Sequence, residues 1–127
     1  MPKIDVAVIE DNESVREATK RLLRLLGYVT ASFASAEDFL NSDSVRDTAC
    51  LITDVRLPGM SGLELQRRLI SDGQGMPIIF ITAFPDEAAR KRALRDGALC
   101  YLSKPFQEEN LITCLDQALG RPPRNTA

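Results

Sequence analysis

Apolar and polar positions fall along this chain in blocks of two lengths, and the blocks alternate. Residues 4–9 are a short apolar run broken only by Asp5 and ending at Glu10-Asp11-Asn12, which reads as a strand. Past it, Val15, Ala18, Leu22, Leu23, Leu25 and Leu26 recur at helical spacing up to Gly27, with Ser14 and Glu17 at the separation of a capping box. Residues 28–33 alternate as a second strand, and Ser35-Ala36-Glu37-Asp38 repeats the capping spacing ahead of Phe39-Leu40. The polar stretch 41–48 ends that short helix. Residues 49–53 show little polar alternation, as in a strand covered on both faces, and lead into Asp54 and the loop Val55-Arg56-Leu57-Pro58-Gly59-Met60-Ser61.

In the second half, residues 62–71 put Leu63, Leu65, Leu69 and Ile70 on one side of a helix and Gln66, Arg67 and Arg68 on the other, until Asp72-Gly73-Gln74-Gly75 stops it. An apolar strand, 78–82, then closes on Thr82. Pro85-Asp86-Glu87 opens a polar helix through Arg95 whose inward stripe is only Ala88, Ala89, Ala93 and Leu94, a thin anchor. A fifth strand over 98–102 leads to Ser103-Lys104-Pro105-Phe106, and the last helix, 107–119, turns Leu111, Ile112, Leu115, Ala118 and Leu119 inward. Residues 121–127, with Pro122-Pro123, read as a linker or C-terminal tail after a domain spanning 1–120.

Five strands alternating with five helices predict an α/β fold: a doubly wound five-stranded parallel sheet with right-handed crossovers. The common solution at this length is flavodoxin-like, (βα)5, with strand order 2-1-3-4-5 and a switch point between strands one and three. With 127 residues, the chain is long enough to bury a core without disulfides or a structural metal. No apolar run reaches membrane-spanning length and the start lacks a secretory h-region, so a cytoplasmic protein with no membrane partner is expected. A net charge of −2 gives no general attraction for nucleic acid; DNA contact would need a separate output module. Cys50, Cys100 and Cys114 are odd in number, far apart and set among apolar residues, which points to buried, reduced packing thiols. The absence of histidine excludes Ser-His-Asp catalysis and histidine-ligated metals.

Parallel strands direct their carboxyl ends to one rim, so Glu10, Asp11, Asp54, Thr82 and Lys104 are expected to converge there. Three carboxylates repel one another, and one lysine cannot balance them; a hard divalent cation can. Mg²⁺ takes a few carboxylate oxygens and keeps coordination for a phosphoryl oxygen. The set therefore suits phosphoryl transfer, with Asp54 as nucleophile, Glu10 and Asp11 on the metal side, Thr82 as hydroxyl donor and Lys104 as counter-charge.

Glu10-Asp11, Asp54 with Leu57-Pro58-Gly59-Met60-Ser61-Gly62, Thr82-Ala83 and Lys104-Pro105-Phe106 resemble the receiver domain of two-component response regulators, over residues 3–119. Ser35-Ala36-Glu37-Asp38-Phe39-Leu40 and the Lys104-Pro105-Phe106 ending are similar to FixJ-type receivers. The resemblance implies that Asp54 is the phosphoacceptor and that Asp11, Asp54 and the Arg56 carbonyl hold Mg²⁺, with Glu10 acting through water. It implies that Thr82 and Lys104 grip the phosphoryl group, that Tyr101 is an aromatic switch moving with Thr82, and that Lys104-Pro105 is cis. Arg56 and Phe84, each two residues past a site residue, are implied to tune acyl phosphate lifetime. Glu10 departs from the Asp of many members and keeps the charge on a longer arm.

The implied protein is a stoichiometric phosphoacceptor rather than an enzyme. Its partner would be a sensor histidine kinase or phosphotransfer protein, and its output a homodimerising surface on the fourth helix, fifth strand and fifth helix that regulates transcription through an attached DNA-binding domain. Three rivals fit the residues less well. A pseudo-receiver used only for protein contacts would not need every acid, Thr82 and Lys104. A haloacid-dehalogenase-type enzyme wants an Asp-x-Asp pair where this chain has Glu10-Asp11-Asn12, and a flavodoxin needs a first loop that does not repel phosphate.

Overall fold

The computed structural model describes residues 3–120. Six-residue β1 (Ile4–Ile9) is followed by α1 (Glu13–Leu25), β2 (Thr30–Phe33), α2 (Ala36–Leu40), a 3-10 turn (Val45–Asp47) and β3 (Thr48–Asp54). Then come α3 (Gly62–Ser71), β4 (Ile78–Thr82), α4 (Glu87–Arg95), β5 (Cys100–Ser103) and α5 (Glu108–Leu119). All strand pairs are parallel, in the order β2-β1-β3-β4-β5. The expected flavodoxin-like architecture and strand order are those observed. The tail 121–127 lies outside the described residues.

Alternate residues along each strand feed two apolar layers. Ala7, Ile9, Leu51 and Phe80 face one cluster with Phe39, Leu65 and Leu69 of α2 and α3 and Ala93 of α4. Val6, Val8, Ile52 and Ile79 face the other, with Leu23 of α1 and Leu111 and Leu115 of α5. Both faces are covered, which is why β3 and β4 read as nearly continuous apolar runs.

Several local expectations are corrected. Helix α1 is capped by Asn12, whose side chain accepts from the Val15 N–H (3.0 Å), rather than by Ser14. Leu25 is 80% exposed and Ala18 is exposed too, so the inward stripe of α1 is narrower than its leucines imply. On α3, Ile70 points outward while Gln66 is 1% exposed and donates its amide to the Ala93 carbonyl of α4 (3.0 Å), its own carbonyl oxygen having no hydrogen-bond partner among the described residues; one good hydrogen bond holds a polar group on the inward side. Ala88 and Leu94 of α4 are exposed, leaving Ala93 as its one buried residue. This helix is anchored even more thinly than its sequence predicts.

The cysteines are the largest departure. Cys100 and Cys114 are joined in a disulfide, and only Cys50 is a free, buried thiol. Fourteen residues separate the pair in sequence, but α5 folds back over the sheet and brings its buried side against β5.

Candidate functional site

Register sets the site. Asp54 pairs with Ile81 across β3 and β4, and Thr82 with Ser103 across β4 and β5. Ile9 pairs with Thr53, so Glu10, Asp54, Thr82 and Lys104 leave the sheet at nearly one level. The expected convergence is present: carboxylate oxygens of Glu10, Asp11 and Asp54 lie within 4.8 Å of one another.

Lys104 ties the rim together. Its ammonium donates to Glu10 Oε1 at 2.8 Å and to Asp54 Oδ2 at 3.3 Å. Burial pulls the Lys104 pKa down, but the hydrogen bond to Glu10 and the Asp54 and Glu10 charges outweigh it, and the net shift is upward. The ammonium therefore stays charged throughout the neutral range. Its contribution to stability is fully present below the unfolded lysine value of about 10.4 and is lost as pH rises through the higher folded value.

Backbone groups orient the other atoms. The Arg56 N–H donates to Asp54 Oδ1 (3.1 Å), the Asn12 N–H to Glu10 Oε2 (3.2 Å), and the Phe84 N–H to Thr82 Oγ1 (3.1 Å). The Lys104 N–H donates to the Thr82 carbonyl (2.8 Å), and Lys104-Pro105 is cis, as implied by the resemblance. Glu10 and Thr82 are almost fully buried, whereas Asp11 is exposed. Gly62 has to be glycine: a Cβ there would press on the Asp54 carbonyl and the Phe80 ring.

Arg56 and Phe84, just past the ends of β3 and β4, meet with the guanidinium 5.3 Å from the centre of the ring, within cation–π range. Phe84 is otherwise 66% exposed. Tyr101 lies against the opposite side of β4. Its ring is 6.4 Å from that of Phe80, and its hydroxyl is buried with no hydrogen-bond partner among the described residues.

Sequence reasoning missed three supports. Arg16 donates to the Glu10 carbonyl (2.9 Å). The Glu37 carboxylate accepts the Met60 N–H (2.9 Å) and fills the space beside Gly59, whose φ of 75° suits glycine. Asn12 caps α1 directly behind the acids. None had a local signal except Asn12, a good N-cap residue misplaced by two positions.

A cavity of about 80 Å³ opens beside Glu10, Asp54 and Lys104. A larger groove, about 880 Å³, runs between α2, the 3-10 turn and α3, but it contains none of the rim residues. Chemistry locates the site here, and size does not. Hard carboxylate oxygens gathered this closely fit a divalent cation of the magnesium type, and the adjoining ammonium and hydroxyl fit a phosphoryl group.

Residues 6–116 match the model of the response regulator receiver domain. The response regulator protein TmoT of Ectopseudomonas mendocina is 39% identical over 119 residues, covering 94% of this chain and 54% of its own. The transcriptional regulatory protein FixJ of Azorhizobium caulinodans is 38% identical over 122 residues, covering 95% and 58%. Among solved structures, FixJ-N is 32% identical with a TM-score of 0.83, covering 96% of this chain and 98% of that one. A response regulator receiver protein from Burkholderia phymatum is 40% identical with a TM-score of 0.80, covering 95% and 98%.

The chain belongs to the response regulator receiver domain family, the phosphoacceptor signalling domains of two-component systems. It spans just over half the length of these two curated relatives.

Proposed function

We propose that this domain is a phosphorylation-controlled switch in which Asp54 takes a phosphoryl group from a sensor histidine kinase or phosphotransfer protein. The observation that carries the proposal is the Lys104 ammonium bridging Glu10 and Asp54 at the end of the sheet. Asp54 Oδ2 attacks phosphorus as the bond to the donor nitrogen breaks, leaving the donor imidazole neutral and an acyl phosphate on Asp54. Lys104 offsets charge on the transferred oxygens, and the Thr82 hydroxyl donates to one of them. Glu10, Asp11, Asp54 and the Arg56 carbonyl would hold Mg²⁺, which supplies positive charge against the phosphoryl oxygens when bound. The domain assists its own phosphorylation and dephosphorylation without turning over a separate substrate.

The proposed output begins at Thr82. Recruiting its hydroxyl to the phosphoryl group draws on the loop that carries Phe84, and Tyr101 follows. The thin anchoring of α4 through Ala93 supports a movable surface on α4, β5 and α5. That surface would form a homodimer on phosphorylation. In the proposed domain plan, residues 1–120 are the receiver and 121–127 a linker; a DNA-binding module attached there would regulate transcription. Transfer from a phosphohistidine protein tests this: the chain should acquire a hydroxylamine-sensitive label, and an unlabelled or hydroxylamine-resistant chain would refute it.

A second outcome concerns lifetime. Arg56, two residues past Asp54, packs its guanidinium on the Phe84 ring, and in this reading the ring shields the acyl phosphate from water, so Phe84→Ala is expected to speed acyl phosphate hydrolysis several-fold. Loss of label after removal of the donor is the readout, and an unchanged half-life would show that the ring does not shield the site.

A further inference from the structure

Cys100 opens β5 and Cys114 lies midway along α5, and their α-carbons are 6.4 Å apart. We propose that these two cysteines form a reversible thiol–disulfide modification site, closed by a small disulfide such as oxidised glutathione, that locks α5 onto β5.

The fold does not need the crosslink as a staple. Two apolar layers cover both faces of the sheet, and a domain of this size buries enough surface to fold without one. The third cysteine is excluded from exchange: Cys50 is fully buried on β3, and burial pushes its thiol up to about 12. Exchange requires a thiolate with access to the oxidant. Cys100 is partly exposed at the sheet edge while Cys114 is 6% exposed, so Cys100 is the sulfur an incoming oxidant meets first.

The chemistry is balanced. The Cys100 thiolate attacks one sulfur of glutathione disulfide, forming a mixed disulfide and releasing one glutathione thiolate. Cys114, deprotonated, attacks the Cys100 sulfur and releases the second. Two protein thiols lose two electrons and two protons, and one glutathione disulfide becomes two glutathiones.

Position determines what the lock does. Cys100 pairs with Ile79, three residues below the Thr82–Ser103 pair at the rim, so the crosslink lies away from Asp54. Cys100 faces the α5 layer and Tyr101 the opposite one, in keeping with strand alternation. The bond therefore fixes the strand that carries Tyr101 from its far side. Only the consequence for signalling rests on the phosphoacceptor reading.

The test equilibrates the 127-residue chain in glutathione mixtures from reducing to oxidising. Acid quenching, alkylation in denaturant, intact mass and peptide mapping follow. Expected are three alkylated cysteines at the reducing end, and at the oxidising end Cys50 alone alkylated with Cys100 and Cys114 crosslinked. Absence of the crosslink, a stable glutathione adduct, or a bond that survives the reducing end would overturn the site. Amide exchange in α5 should be several-fold slower in the oxidised form and indifferent to redox state in Cys100→Ser; equal exchange in the two wild-type forms overturns the lock. Labelling of Asp54 by acetyl phosphate should match in both forms. If neither form labels, the phosphoacceptor reading fails while the thiol count still decides the redox site.

Discussion

Lys104→Ala is expected to slow uptake of phosphate from acetyl phosphate by about 10²–10³-fold, the range found when one preorganised donor to a developing anion is removed. Lys104 is the only cationic side chain that donates to the rim carboxylates among the described residues. Its loss leaves the Glu10 and Asp54 carboxylates with no ammonium between them, so incoming phosphoryl oxygens meet uncompensated negative charge. The same change frees Glu10 Oε1 from its 2.8 Å partner, so Mg²⁺ affinity should hold or rise. Slow labelling with intact Mg²⁺ binding, measured by titration calorimetry, separates lost phosphoryl stabilisation from a collapsed site. Labelling at the wild-type rate would contradict the role given to Lys104.

Phe80→Ala should destabilise the fold by about 3–5 kcal/mol, the usual range for removing a buried aromatic ring. Phe80 is fully buried on β4, touches the Tyr101 ring and would meet any side chain added at Gly62. That loss is a large share of the roughly 5–15 kcal/mol typical of a domain. Urea unfolding followed by circular dichroism should show a much lower midpoint with a similar slope. A change below about 1 kcal/mol would mean that neighbouring side chains collapse into the space. Because Phe80 lies between Gly62, against the Asp54 backbone, and Tyr101, the variant should also label more slowly than its folded fraction accounts for.

Strand order and the composition of the rim were legible because both follow from simple regularities. Apolar runs of strand length alternate with helical patterns, and a parallel sheet brings every carboxyl end to one side. Glu10, Asp11, Asp54, Thr82 and Lys104 could be placed together without knowing any distance. The helix faces were less legible, for reasons particular to each residue. Gln66 is inside because the Ala93 carbonyl, 27 residues away, accepts its amide, and no local pattern reveals such a partner. Leu25 looks like core among its leucine neighbours but lies on the outer side of α1, since Leu22, Leu23 and Leu26 are the ones that meet the layer. The Cys100–Cys114 bond depends on the packing of α5 over the sheet edge, a tertiary fact that separation along the chain obscures. Supports such as Glu37 under the Met60 amide belong to the same class: long-range hydrogen bonds between residues unremarkable in isolation.

Asp54 carries the account, and intact mass after incubation with Mg²⁺ and acetyl phosphate tests it most directly, comparing the wild-type chain with Asp54→Asn. The wild type should gain the mass of one phosphoryl group and the variant none. A variant that labels like the wild type, or a wild type that takes no label while folded and supplied with Mg²⁺, would contradict it.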